Sequence, residues 1–121
     1  MNTLEIAQKF VSLVKERKDE EALDTLFDAD AVSVEAAEMP GLPREVRGVP
    51  AIKGKGKWWR ENHEVHSAKA EGPFPNGDRF AVRFNYDVTQ KASGQRIQMD
   101  EVALYTVRGG KIVREEFFYP T

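Results

Sequence analysis

The chain has 121 residues, a formal net charge of −2, 40 % apolar and 31 % charged residues, and no cysteine. That length is one domain, residues 1–121, with room for a core of its own. Disulfides, thiolate nucleophiles and cysteine metal sites are excluded, and no excess of positive charge points to nucleic acid or a membrane surface.

The N-terminus, "MNTLEIAQKF", has no basic start followed by an apolar block, so no signal peptide is read. No apolar run nears the roughly 18 residues that span a bilayer. The expected location is the cytoplasm. Residues 3–17 read as an amphipathic helix, with Leu4, Ala7, Phe10, Val11 and Val14 on one face and Asn2 or Thr3 as its cap. Asp19 caps a second, short helix carrying Ala22, Leu23, Leu26 and Phe27. "DADAVSVEA" then turns to a strand pattern around Val32 and Val34.

Residues 39–50, with three prolines and two glycines, read as a loop. Residues 51–62 form a third helix bearing Ile52, Trp58 and Trp59, weakened by Gly54 and Gly56. Strand patterns follow near 65–71, 79–89, 96–107 and 111–119. Asn76-Gly77 and Gly109-Gly110 mark turns. Helices followed by an antiparallel meander give an α+β fold.

This order, with "LFDADAVSVE" after the second helix and "YTVRGGKIVREEFFY" at the end, resembles the nuclear transport factor 2-like superfamily, its SnoaL-like branch in particular. The resemblance covers nearly the whole chain. It implies a cone-shaped α+β barrel, helices packed in a strongly curved antiparallel sheet around a pocket. It also implies a homodimer through the sheet's outer, convex face. Its members include isomerases, cyclases, dehydratases, hydrolases and plain binding modules, so the fold leaves function open.

With Gly109-Gly110 as a two-residue turn, Arg108 lies opposite Lys111. Glu115 then opposes Leu104, Phe117 opposes Val102, and Tyr119 opposes Asp100. The pocket face carries Asp100, Val102, Leu104, Thr106, Val113, Glu115, Phe117 and Tyr119. Glu116 points outward, among Tyr105, Ile112 and Phe118, an apolar outer patch suited to a dimer. A bulge would turn one strand over and bring in Glu101 for Asp100. In the strand at 79–89, Phe80, Val82, Phe84, Tyr86 and Val88 share the inner face.

The resemblance includes ketosteroid isomerase, itself a worked example of a carboxylate base with tyrosine and aspartic acid oxyanion donors. Those three positions fall on Glu35, Val11 and Leu104, so that activity is rejected. Asp100 and Glu115 remain as candidate catalytic acids or bases. Glu35, Trp59, His63, Phe84, Tyr86, Phe117 and Tyr119 are candidate ligand contacts. Burial would raise the carboxylates toward neutral pKa values. The bland alternative is a solvated Glu35, a rim Asp100 and a Glu115 satisfied by Tyr86 or a tryptophan N–H.

"NHEVH" is one residue short of the zinc-binding pattern, so no metal is expected. "GKGKWWR" is too short for a nucleic-acid strip, and Gly54-x-Gly56 is no dinucleotide fingerprint. No cofactor is expected. Two readings stand: a dimeric pocket protein for a small apolar molecule, and a cofactor-free acid/base enzyme acting on one.

Overall fold

The structure, a computed structural model, describes residues 1–121. Helix α1 (Thr3–Lys15) opens with a capping box. The Asn2 side chain accepts from the Glu5 amide at 2.9 Å, and the Glu5 carboxylate accepts from the Asn2 amide at 3.1 Å. Its buried face is Ile6, Ala7, Phe10, Val11 and Leu13, while Leu4 is exposed. The stripe is rotated from the expected one because the helix lies in a concavity and is covered on more than one side.

Arg17, at φ 59°, turns the chain into α2 (Asp19–Leu26). Phe27 begins β1 (Phe27–Val34) rather than ending α2. The proline-rich loop contains a short strand, β2 (Glu45–Arg47), before α3 (Val49–Asn62). Then come β3 (His63–Asn76), β4 (Arg79–Gln90), β5 (Arg96–Arg108) and β6 (Lys111–Phe118).

The six strands form one open sheet in the order β2-β1-β6-β5-β4-β3. All neighbours are antiparallel except β1 and β6, which run parallel. Helix α1 packs on the inner face, where Phe10 meets Tyr105 at 4.5 Å between ring centres and Tyr105 stacks on Phe80 at 4.9 Å. No helix is long and apolar enough to cross a membrane.

One detail of register decides what the sheet encloses. Gly109 and Gly110, at φ 59° and 75°, make the two-residue turn, and Arg108 does pair with Lys111. Val107 pairs with Ile112, but Thr106 pairs with Arg114. Val113 is the extra residue of a bulge, and beyond it the pairing is shifted by one. Glu115 therefore opposes Tyr105, and Phe117 opposes Ala103.

The expected inner set on β5 is corrected by this shift. Asp100, Val102, Leu104 and Thr106 point outward, and Glu101, Ala103, Tyr105 and Val107 point inward. Tyr105 and Ile112, expected on the outer face, are fully buried inside. The outer apolar residues are instead the cross-strand neighbours Val102 and Phe118, 41 % and 48 % exposed.

Candidate functional site

Glu115 stands on the inner face of β6 and is 7 % exposed. Its partner on the parallel strand β1 is Ser33. The Ser33 hydroxyl donates to Glu115 Oε2 at 2.7 Å. It accepts in turn from Lys55 Nζ at 2.6 Å. Lys55 reaches in from α3, where Ile52, Lys55 and Trp59 share a face at helical spacing. Its ammonium also meets Glu35 Oε1 at 2.6 Å, with both side chains about nine-tenths buried. Glu35 Oε2 accepts from the Tyr119 hydroxyl at 2.8 Å.

Tyr119, Glu35, Lys55, Ser33 and Glu115 thus form one hydrogen-bonded chain. Lys55 Nζ lies 4.8 Å from the centre of the Phe117 ring, a cation–π contact on the remaining side of the ammonium. All of the chain but the fully buried Ser33 lines a cavity of about 940 Å³ whose walls include Trp59, Phe84, Tyr86, Glu101, Tyr105 and Phe117.

Burial raises the Glu115 carboxyl, against the lowering effects of Ser33 and Lys55. Glu101 is pushed up to about 7, first by burial and then by the nearby Glu35 charge, with Lys55 opposing. Burial also raises Tyr86 and Tyr119, so both remain protonated donors. Tyr86 and Glu101 sit diagonally on the paired strands β4 and β5, because Tyr86 opposes Met99 and Phe84 opposes Glu101. Such diagonal neighbours are roughly 7 Å apart, room for one reacting group between them.

The structure brings Glu35, Trp59, Phe84, Tyr86, Glu115, Phe117 and Tyr119 to this cavity. Asp100 is not there. It makes a forked ion pair with Arg83 on the outer face, at 2.9 and 3.1 Å, which holds its carboxyl below the usual range. Glu101 takes the inner position that the straight hairpin gave to Asp100. His63 is not a wall of the cavity either. Its ring stacks on Trp59 at 4.8 Å, and Nδ1 lies 2.8 Å from the Trp59 carbonyl oxygen. It fixes the indole from behind.

Of the ketosteroid isomerase positions, only Glu35 carries an acid at the cavity. Val11 is in the core and Leu104 faces out. Lys55 and Ser33 escaped the sequence reading. The signals were the Ile52-Lys55-Trp59 spacing and the period-two step from Glu35 back to Ser33.

The family model of the SnoaL-like domain matches residues 1–119. The chain belongs to the SnoaL-like family. A Mesorhizobium loti protein, named both a SnoaL-like polyketide cyclase and a carbohydrate phosphatase, is similar to this SnoaL-like chain. It shares 47 % identity over 98 % of this chain and 100 % of its own, with a TM-score of 0.92. A Bacillus subtilis protein named an isomerase shares 22 % identity over 99 % of this chain and 90 % of its own, TM-score 0.76. A Catenulispora acidiphila protein of ketosteroid isomerase-like fold, solved with trimethylamine, shares 23 % over 98 % and 87 %, TM-score 0.72. These last two share the fold alone. No curated protein matches the chain.

Proposed function

We propose that this SnoaL-like protein binds a small, largely apolar molecule in its cavity and moves a proton at that molecule's polar end without a cofactor. One observation carries the reading. A carboxyl held at about 7, Glu101, shares an aromatic cavity with a phenol donor, Tyr86, on the neighbouring strand. A base poised near the working pH is the efficient one. Ionised Glu101 takes a proton from the carbon beside a carbonyl, and Tyr86 donates a hydrogen bond to the oxygen that becomes negative. The Tyr119–Glu35–Lys55–Ser33–Glu115 chain holds the far wall rigid. The name of the Mesorhizobium loti relative agrees with this class, since an intramolecular aldol closure needs the same base and donor.

The test is deuterium uptake from D2O by 2-tetralone, followed by proton NMR. The wild-type rate above buffer is expected to rise with pH through about 7, as Glu101 ionises. Glu101→Gln lowers it about 100-fold or more, and Tyr86→Phe about tenfold or more. A Glu101→Gln variant exchanging at the wild-type rate sinks the assignment of the base. A wild-type rate equal to buffer removes the proton-transfer half of the reading and leaves a pocket protein.

We also propose that a second copy covers the outer face. Val102 and Phe118 are paired there across β5 and β6, flanked by the Arg83–Asp100 and Arg114–Glu116 ion pairs. Sedimentation equilibrium at micromolar concentration is expected to give twice 13.7 kDa. Phe118→Asp is expected to bring it to 13.7 kDa, and a monomeric wild type contradicts the proposal. With no cysteine to protect, a reducing cytoplasmic setting suits the chain.

A further inference from the structure

We propose that the ligand of this cavity carries a positively charged nitrogen, an alkylammonium or quaternary ammonium group seated between the Glu101 carboxylate and the ring faces of Trp59, Tyr86 and Phe84. The proposal rests on the cavity being the ligand site, and not on the proton transfer.

The buried charges of the cavity do not balance, although its more exposed walls carry Lys15, Arg17, Lys18, Lys53, Arg60 and Lys69 beside Asp19, Glu20, Glu21 and Glu71. Glu35, Glu101 and Glu115 are three carboxyls, and Lys55 is their one buried cation. Lys55 is already committed to Glu35 and Ser33 at 2.6 Å each, and to the Phe117 face. Glu115 has the Ser33 hydroxyl. Glu101 has no such partner. Burial and through-space charges from Glu35, Lys55 and Glu115 are all that act on it. A partly buried carboxylate without a partner is costly, and a cation on the ligand removes that cost.

The walls beside Glu101 suit a cation as well. Phe84 is its cross-strand partner, and Tyr86 is the diagonal neighbour. Phe84 and Tyr86 lie nearly parallel at 6.0 Å, and Trp59 stands 5.2 Å from Tyr86, tilted by 52°. His63 covers one face of Trp59, which leaves the other for the cavity. Ring faces attract cations, and desolvation strengthens the attraction. The carboxyls are not gathered into a ligand set for a metal ion. The missing charge therefore fits an organic cation. An anionic ligand would meet the carboxylates instead.

The occupant also couples to protons. A fixed positive charge beside Glu101 favours its ionised form, so binding below about pH 7 expels a proton. The other ionisable groups facing this region are Glu35, Lys55, Glu115, Tyr86 and Tyr105, with Asp19 of α2 acting on the last three and Lys15, Arg17, Lys18, Glu20, Glu21, Lys53, Arg60, Lys69 and Glu71 on the more exposed walls.

Isothermal titration with benzyltrimethylammonium, benzyl alcohol and phenylacetate tests the proposal on wild type and Glu101→Gln. Two buffers of different ionisation enthalpy at pH 6 give the proton count. Benzyltrimethylammonium is expected to bind wild type about tenfold or more tighter than benzyl alcohol, with phenylacetate weakest. It releases protons on binding to wild type and none on binding to Glu101→Gln. The variant loses the preference for the cation and keeps its affinity for benzyl alcohol. Equal affinities in wild type, an unchanged preference in the variant, or no binding of any probe overturns the proposal. Cation preference without 2-tetralone exchange sinks only the catalytic reading. Exchange without cation preference sinks only this one.

Discussion

Lys55→Met is expected to lower stability at pH 8 by about 3–5 kcal/mol, the usual cost of breaking a buried ion pair from one side. Methionine fills much of the same space, so a cavity is not the cause. The loss is electrostatic. Glu35, about nine-tenths buried, keeps only the Tyr119 hydroxyl, and Ser33 loses its donor. For a domain of this size the melting temperature should fall by about 10–20 °C. The deficit should shrink toward acid pH, where an unpaired buried carboxylate is neutral. Adding Glu35→Gln to Lys55→Met should recover most of the loss, because it removes the orphaned charge. Melting curves at pH 5 and 8 for the single and double variants check this. A Lys55→Met protein melting within about 2 °C of wild type at pH 8 would show that the pair is not buried as described.

Glu101→Gln should do the opposite for stability and end proton transfer. The Glu101 carboxyl lies at about 7 in the folded chain, against an ordinary value of 4.5. The folded state therefore holds this proton more tightly than the unfolded state. By linkage, stability falls as pH rises between about 4.5 and about 7, and the full penalty is present above that window. The difference corresponds to about 3 kcal/mol at pH 8. Glutamine never ionises, so the variant should be more stable than wild type by about that amount at pH 8 and equal to it at pH 4. Glu115, also raised by burial, leaves a residual slope of the same sign in both proteins. Urea titrations across pH 4–8 measure the difference. A variant less stable than wild type at pH 8 would mean that Glu101 holds a stabilising charge interaction. The expected pairing of higher stability with lost turnover marks a residue kept for its chemistry.

The helical period of α1, the double-glycine turn and the alternation in β4 were all legible in the chain. They belong to local physics: side-chain spacing and φ above zero. Hence the α+β order and the inward Phe84 and Tyr86 follow from sequence; Glu115 does face inward, but so does Ile112 three residues before it, which alternation forbids without the Val113 bulge. Three features needed the folded molecule. The Val113 bulge exchanges Asp100 for Glu101, because one unpaired residue reverses the facing of everything beyond it, and no motif marks it. The parallel pairing of β1 with β6 sets Ser33 beside Glu115 although 82 positions separate them. Lys55, a lysine between two glycines, has the local look of a solvated side chain. Only the packing of α3 against β1 carries its ammonium to Glu35 and Ser33. Local rules decide which way a side chain points along its own strand or helix, and only tertiary contact decides which charge waits at the other end.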